Sequence, residues 1–316
     1  MRAARIVRYG EPVEFEFADV PAPTPHADEV LVHVDAVGVN FHDLNVAGNV
    51  YGQNVSLPHV LGSEVVGRLE DGTRVAGLTT EGGGFAEQVA VRRQDVFGLD
   101  TEVTDLQALT MTIQGNTAWH ALHTIARLRA GETVLVLGGA GGVGMLAIQL
   151  ARIAGAGQII ATATTNAKRG LVTELGADCA IDSRSDALAA EIAEATGGRG
   201  VDVVVDNIGG AAFDASVEVA RPLARLVSIG KASGRSPTPF DPRAMSRRNL
   251  IVSGMYLGTF PDLLRESMAE LTKLCADGRL RIFDGGRYAF ADAAAAVNAL
   301  RTRTQPGKLV VDVASR

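Results

Sequence analysis

The chain has 316 residues, of which 47% are hydrophobic and 21% charged, and that length predicts two domains at roughly 150 residues each. Its 30 basic and 36 acidic residues give a formal net charge of −6. Because no cluster of Lys and Arg interrupts this balance, composition argues against a nucleic-acid partner.

The amino-terminal third has the pattern of a β-rich domain. Residues 1–10 carry charges and lack the apolar segment of a secretory signal. Apolar or alternating runs then occur at residues 4–7, 30–39, 65–69, 74–78 and 85–91, separated by turns rich in Gly and Pro. Short strands at this spacing predict an antiparallel barrel-like or sandwich domain.

The pattern changes near residue 106. Residues 106–113 and 117–128 have helical spacing, and strands then alternate with helices. We predict strands at 133–137, 158–163, 179–181, 201–205, 226–229 and 250–253, with helices at 143–154, 167–175, 186–195 and 211–220. Strands without polar alternation, separated by amphipathic helices, indicate a parallel sheet covered on both faces.

After Pro261 we predict a long helix at 262–276, a further helix at 292–300 and a last strand at 308–313. We expect this tail to return to the first domain. The predicted organisation is therefore a catalytic domain at 1–113, completed by 262–316, and a nucleotide-binding domain at 114–261. No apolar run approaches the roughly 18 residues of a membrane span, and only two cysteines occur. We expect a cytoplasmic protein without a membrane partner.

The strongest motif is a glycine-rich turn between an apolar strand and an apolar helix. It contains Gly-x-Gly-x-x-Gly at Gly139, Gly141 and Gly144, with Gly142 and Val143 inside it. Such glycines permit a tight turn, a close approach of the backbone to a pyrophosphate, and close packing of helix on strand. The free N–H groups of the helix N-terminus attract phosphate. We predict a dinucleotide site here; the alternative is a turn that serves packing alone.

The residues after the next strand favour NADP over NAD. NAD-binding proteins usually have an Asp or Glu about 20 residues beyond the motif, which accepts a hydrogen bond from the ribose. Residues 159–169 have no acid there and instead contain Thr164, Thr165, Lys168 and Arg169. Hydroxyls and cations suit a 2′-phosphate. Lys168 and Arg169 are otherwise part of an ordinary solvated helix face.

Further candidates follow later strands, where cofactors bind in such sheets. Asn207 and Gly230 follow the fourth and fifth strands of the predicted sheet. Arg184 follows the third, and it lies either beside the adenosine phosphate or in solvent.

Seven segments together resemble the quinone oxidoreductases of the medium-chain dehydrogenase/reductase superfamily. They are GVNFHD at 38–43, LGSE at 61–64, GFAE at 84–87, GNTAW at 115–119, LGAD at 175–178, VDVVVD at 201–206 and GKLV at 307–310. The resemblance implies an α/β protein with a GroES-like β-rich catalytic domain and a Rossmann domain, a doubly wound parallel sheet. It also implies a homodimer formed through the Rossmann sheet edge near residues 250–257.

The chain departs from the zinc-dependent members of that superfamily. Asn40 stands where their first Cys ligand would be, Ser63 stands where a His ligand would be, and the lobe with four cysteines is missing. Zinc needs thiolate or imidazole ligands in a tetrahedral set, so we predict no metal. His42, His59 and Glu64 lack a thiolate partner and the usual ligand spacing. The two histidines are interpreted as surface or loop residues. His120 and His123 are interpreted as packing residues.

Without a metal, hydrogen bonds alone must activate the hydride acceptor, which favours NADPH-dependent reduction of a quinone or other conjugated carbonyl. The resemblance places Asn40 near the substrate carbonyl, Tyr51 in the substrate pocket and Thr117 at the nicotinamide amide. Alternatively, Asn40 caps a loop, Tyr51 is a packed loop aromatic and Thr117 caps a helix. Asn45 stands where related enzymes often have an aromatic. Other open hypotheses are an enoyl-thioester or alkenal reductase, a non-catalytic NADPH-binding sensor and, less favoured, a zinc alcohol dehydrogenase.

Overall fold

The computed structural model describes residues 1–50, 52, 54–239, 241–302 and 306–314. The chain divides into two compact units. One unit combines Met1–Ile113 with Phe260–Arg316, and the other is Gln114–Thr259.

The predicted strands and helices occur in the predicted order, together with short elements that the hydrophobic pattern did not predict. In the described part of the chain the strands are β1 Arg2–Ile6, β2 Glu16–Asp19, β3 Glu29–Val39, β4 His59–Val60, β5 Glu64–Arg68, β6 Arg74–Leu78, β7 Gln88–Arg92, β8 Val96–Gly98, β9 Thr133–Leu137, β10 Gln158–Ala163, β11 Cys179–Asp182, β12 Val201–Asp206, β13 Ala220–Ser228, β14 Ile251–Gly254, β15 Asp284–Ala289 and β16 Lys308–Asp312. The α-helices are α1 Phe41–Ala47, α2 Asp105–Thr110, α3 Asn116–Trp119, α4 Gly142–Ile153, α5 Asn166–Glu174, α6 Leu188–Ala195, α7 Gly210–Val219, α8 Pro242–Ser246, α9 Pro261–Ala276 and α10 Ala293–Thr302.

The first unit is built on a mainly antiparallel sheet in which β3 is central. The strand order is β15-β16-β3-β5-β6-β8, and β7 pairs with the first half of β3. A smaller sheet has the order β2-β1-β4. One hydrophobic core joins them, with Phe85, Val37 and Leu61 fully or almost fully buried in it. Because β16 pairs with β3, the carboxyl-terminal strand belongs to this sheet.

The second unit is a six-stranded sheet in which every pair is parallel, in the order β11-β10-β9-β12-β13-β14. The order reverses at β9, which lies between β10 and β12. Leu135, Leu137 and Ile160 are fully buried, because helices cover the apolar strands. This is the doubly wound arrangement in which ligands bind beyond the carboxyl ends of the strands, next to the reversal. The predicted fold class is therefore confirmed.

The region 106–128 differs from the two regular helices that its spacing predicts. Only α2 and α3 are α-helical, and Met111–Gly115 and His120–Ile125 form π-helical turns. The hydroxyls of Thr110 and Thr112 donate to the carbonyls of Leu106 and Ala108, at 2.7 and 2.8 Å. These hydroxyls compete with backbone N–H groups for the same acceptors, which disturbs the regular ladder. Over the described residues, no helix has the length and apolarity required to cross a membrane.

Candidate active site

The first candidate region is a buried polar cluster in the first unit, where β3, β5 and β16 lie side by side. Lys308 begins β16, Glu64 begins β5, and Asn40 follows β3 and precedes α1. The Lys308 ammonium forms an ion pair with the Glu64 carboxylate, and neither side chain has exposed surface. It also donates to Oδ1 of Asn40 at 2.8 Å and to the carbonyl of Val39 at 3.2 Å. A full positive charge is thereby fixed in the interior beside Asn40.

The Asn40 amide is engaged at both ends. Its Nδ2 donates to Oε1 of Glu64 at 2.9 Å, while its contacts with the Gly38 carbonyl and the Ser63 hydroxyl are both 3.4 Å long. One amide hydrogen is therefore held firmly and the other only weakly. Glu64 Oε2 is buried without a hydrogen-bond partner among the described residues, and burial raises the pKa of this carboxyl, partly offset by Lys308.

Asp43 fixes the start of α1 beneath this cluster. Its two carboxylate oxygens accept from the backbone N–H groups of Asn40 at 2.7 Å and of Gly62 at 3.1 Å. Burial raises the pKa of Asp43 to about 6, although these N–H donors and Lys308 act in the opposite direction. The carboxylate thus joins the end of β3 to the segment before β5, and it orients Asn40 through its backbone.

The cluster requires a glycine at position 38. A Cβ on Gly38 would lie 2.3 Å from Oε1 of Glu64 and 2.7 Å from Cε of Lys308. Both distances are far below van der Waals contact, so the ion pair fills the space that a side chain would occupy.

The second candidate region is the glycine turn between β9 and α4 in the second unit. The turn is anchored to β10 through Thr162: the N–H of Gly138 donates to its hydroxyl at 3.0 Å, and that of Gly139 donates to its carbonyl at 2.8 Å. Gly138 has φ = 74°, which a residue with a side chain rarely adopts. Among the residues that the structure describes, no side chain caps the N-terminus of α4, whose N-cap is Gly141.

The glycines of this turn serve different purposes. A Cβ on Gly144 would lie 2.3 Å from the carbonyl oxygen of Gly138, so Gly144 lets helix and turn pack closely. A Cβ on Gly142 would overlap the Gln114 side-chain amide at 2.4 Å. A Cβ on Gly141 would meet only the Gly138 oxygen, at 3.3 Å, and would otherwise project into open space. The open side at Gly141, before an uncapped helix, fits a diphosphate.

The ends of β10 and β11 bring together hydroxyls and cations. Thr165 caps α5, and its hydroxyl accepts from the N–H of Lys168 at 3.3 Å. Asp182, the last residue of β11, forms ion pairs with Arg169 and with Arg184, both at 3.0 Å. An acid is thus present beside residues 159–169 in space, although none occurs there in sequence.

The turns after β12 and β13 lie at the same side of the sheet, beyond the carboxyl ends of its strands. Asn207 Nδ2 contacts the carbonyl of Leu137, the last residue of β9, at 3.4 Å. The buried Asp206 carboxylate accepts from the N–H groups of Ile208 and Gly209, at 2.8 and 2.9 Å. Burial raises the pKa of Asp206. Gly230 lies next to Asn207, because a Cβ on it would be 3.5 Å from the Asn207 carbonyl oxygen.

Comparison with known proteins identifies the family. Residues 26–101 match the family model "Alcohol dehydrogenase GroES-like domain", and residues 142–276 match "Zinc-binding dehydrogenase". A quinone oxidoreductase of Pseudomonas aeruginosa is 32% identical over 96% of this chain and 97% of its own length. The chain belongs to the medium-chain dehydrogenase/reductase superfamily, in its quinone oxidoreductase group. The resemblance predicted from the seven segments is confirmed.

Solved structures agree with this medium-chain fold. The quinone oxidoreductase of Thermus thermophilus, which was also solved in complex with NADPH, is 34% identical, with a TM-score of 0.86 over 99% of this chain and 100% of that one. The CurK enoyl reductase is 27% identical, with a TM-score of 0.85 over 98% of each chain.

Other relatives of the chain are much longer proteins. A mycocerosic acid synthase-like polyketide synthase of Mycobacterium tuberculosis is 33% identical over 96% of this chain, but the chain spans only 15% of that protein. The chain therefore corresponds to one part of these longer relatives.

The predicted site residues of the chain fall into two groups, one in each unit. Asn40 belongs to the buried cluster of the first unit. At one edge of the second unit's sheet lie Gly139, Gly141, Gly142, Val143, Gly144, Thr164, Thr165, Lys168, Arg184, Asn207 and Gly230. Thr117 is buried within α3, and Tyr51 lies outside the described residues. The roles assigned to these residues stay predictions.

Sequence reasoning missed several residues that hold these sites. They are Asp43, Thr162, Asp182 and Lys308, whereas Glu64 was considered only as a metal ligand. Lys308 belongs to the segment GKLV, which contributed to the family resemblance. The sequence therefore drew attention to this lysine but did not indicate its role. The interaction between Lys308 and Asn40 joins residues 268 positions apart, which no local pattern reveals.

Proposed function

We propose that the chain uses NADPH to reduce a quinone or another conjugated carbonyl by hydride transfer, without a metal. The observation that carries the proposal is the glycine turn, with its open face at Gly141 before an uncapped α4. The relatives of similar length support the reaction class, since quinone oxidoreductases match over nearly their whole length.

NADPH is supported as the cofactor by two independent lines. The T. thermophilus relative binds NADPH in its solved complex. In this chain, Thr164, Thr165 and Lys168 lie together at the start of α5, where hydroxyls, backbone N–H groups and a cation suit a phosphate. When bound, NADPH supplies the hydride and the protein supplies orientation and electrostatics.

In the first unit, the buried cluster supports a role for Asn40 in binding a carbonyl. Its Oδ1 is held by Lys308 and one amide hydrogen by Glu64, which fixes the amide plane. Within the described part of the chain, the second amide hydrogen has only contacts of 3.4 Å, so it is the one that we assign to the substrate oxygen. Conjugated carbonyls need only such modest stabilisation, because their negative charge is delocalised over several atoms.

We propose a reaction without a metal because the side chains of the buried cluster are poor zinc ligands. Asn40 and Ser63 offer no thiolate or imidazole, and the Lys308 ammonium already neutralises Glu64. Among the residues that the structure describes, no group of three or more His, Cys, Asp or Glu could hold a metal ion.

A direct assay tests the proposed reaction. Purified protein is mixed with NADPH and either 1,4-benzoquinone or an alkenal, and loss of absorbance at the reduced-nicotinamide band is followed, with acceptor-free samples as the control. We expect acceptor-dependent oxidation. If the protein binds NADPH in calorimetry but oxidises it with none of a panel of such acceptors, the reductase hypothesis is wrong and a non-catalytic NADPH-binding sensor is favoured.

A second candidate function is reduction of the double bond of an enoyl thioester. It is favoured by the structural match to the CurK enoyl reductase and by a polyketide synthase that matches 96% of this chain. An α,β-unsaturated acyl-CoA and the corresponding simple enone, compared at equal concentration, separate the two. A kcat/KM at least about tenfold higher for the thioester favours the second function.

We further propose a homodimer through the edge strand β14. Within the described chain this strand pairs only with β13, and Ile251 in the strand and Tyr256 just after it are exposed. A second copy pairing with the same edge would cover both the backbone groups and these apolar side chains. Ile251→Arg should then give a monomer in sedimentation, while an exposed control such as Leu263→Arg should not. A cytoplasmic location stays a prediction.

A further inference from the structure

The carboxyl end of β11 contains a cluster of one acid and two arginines. Asp182 ends β11 and is the register partner of Ala163, the last residue of β10. Arg169 lies in α5, which begins three residues after β10. Asp182 therefore lies beside the segment that we assign to the adenosine ribose of NADPH.

A single carboxylate serves both guanidinium groups. Oδ2 of Asp182 contacts Nη1 of Arg169 and Nη2 of Arg184, each at 3.0 Å. Oδ1 accepts from Nε of Arg184 at 3.1 Å and from its backbone N–H at 3.0 Å. The hydrogen bonds from Arg184 lower the pKa of Asp182 well below its usual range, so this carboxylate is charged at any physiological pH.

Asp182 changes the net charge that a cofactor would meet at the carboxyl ends of β10 and β11. Two arginines would present two positive charges to a 2′-phosphate, and the shared carboxylate cancels one of them. A carboxylate also repels the phosphate, whereas it can accept a hydrogen bond from the free 2′-hydroxyl of NADH.

We propose that Asp182 is a specificity-determining residue that weakens the preference of this site for NADPH over NADH. The proposal rests on the proposed nucleotide site, and it adds an element that opposes the selectivity of Lys168. The site should still bind NADPH more tightly than NADH. The ratio of the two dissociation constants should, however, be smaller than it would be if the cations acted without Asp182.

Asp182→Asn tests this inference with little change in shape. The amide oxygen still accepts from the Arg184 backbone and Nε, while the negative charge is lost. We expect the dissociation constant for NADPH to fall roughly three- to tenfold, and that for NADH to stay constant or rise. The gain should shrink when the salt concentration is raised from about 50 to about 500 mM, because screening acts on exposed charges.

The matched control is Asp178→Asn on the same chain segment. Asp178 forms an ion pair with Arg152 and accepts from the backbone N–H of Ile159, both at 2.7 Å. It precedes β11 and so lies at the opposite end of the strand. This variant should leave the ratio of the NADPH and NADH dissociation constants unchanged. If Asp182→Asn fails to fold, as judged by circular dichroism, Asp182→Ser replaces it.

The possible outcomes separate this inference from the proposed function. If the wild-type protein binds neither nucleotide in calorimetry, the proposed cofactor site and the role of Asp182 are both wrong. If it binds NADPH, but Asp182→Asn leaves the ratio unchanged or weakens NADPH binding, only the role of Asp182 is wrong. Arg169→Ala should weaken NADPH binding and leave NADH binding unaffected.

Discussion

The ammonium of Lys308 and the carboxylate of Glu64 form an ion pair that has no exposed surface on either side chain. Both charges have lost their water, so each depends on the other and on Asn40 for compensation. Such a pair adds little net stability compared with apolar residues of the same size, but removing one partner leaves an uncompensated buried charge.

We therefore predict that Lys308→Met lowers the free energy of unfolding by roughly 3 to 5 kcal/mol. The double variant Glu64→Gln/Lys308→Met should lose less than Lys308→Met alone, although it carries one more substitution. Urea unfolding followed by circular dichroism measures both, together with the single variant Glu64→Gln. A double variant as unstable as the sum of the two single variants would contradict the interpretation of the pair as mutually dependent.

Gly38 gives a second prediction about the same cluster. Gly38→Ala should destabilise the protein by about 1 to 3 kcal/mol, because its Cβ would overlap Glu64 and Lys308. Gly98→Ala is the matched control in the same sheet, since no atom lies within 4 Å of a Cβ at that position. Its unfolding midpoint should stay close to that of the wild type, and equal losses in both variants would show that strand glycines matter here for another reason.

The sequence predicted the second unit more closely than the first. The bounds of β9 and β10 agree with prediction at both ends, because parallel strands buried on both faces are uninterrupted apolar runs. The short strands β2, β4 and β8 have two to four residues each, too few to show a period, and they were missed.

Site prediction has a different limit. The glycine turn is local, so its residues could be named from sequence. The cluster around Asn40 depends on the pairing of β3 with β5 and β16, and Asp182 reaches Arg169 only because β10 and β11 are neighbours. Pairing between distant strands is set by the packing of the whole sheet, and a local pattern does not contain it.

The raised pKa of Asp43 predicts a dependence of stability on pH. A carboxyl whose pKa is about 6 in the folded protein and 3.8 as a model value binds its proton more tightly when folded. Its contribution to stability is therefore largest below about pH 4 and is lost as the pH rises through about 6, by at most about 3 kcal/mol.

Asp43→Asn isolates this contribution to the pH dependence. The amide cannot accept from both Asn40 and Gly62 through two equivalent oxygens, so the variant should be less stable than the wild type at every pH. The difference should be largest near pH 4 and smallest near pH 7, as measured by urea unfolding across that range. A difference that does not vary with pH would mean that Asp43 does not titrate there.

The glycine turn gives the last prediction, because two of its glycines should fail in different ways. Gly141 has φ = −83°, which any residue can adopt, and its Cβ would point into open space. Gly141→Ala should therefore fold with a melting temperature close to that of the wild type, yet bind NADPH at least about tenfold more weakly, because the methyl group blocks the diphosphate. Gly144→Ala should instead lower the melting temperature, since its Cβ would overlap the backbone of Gly138. Calorimetric titration with both NADPH and NADH provides the internal check: the diphosphate is common to the two, so Gly141→Ala should weaken both by the same factor, whereas Lys168→Ala should weaken NADPH alone. If Gly141→Ala binds both nucleotides as the wild type does, the diphosphate does not lie on the open face of this turn, and the proposed cofactor site is wrong.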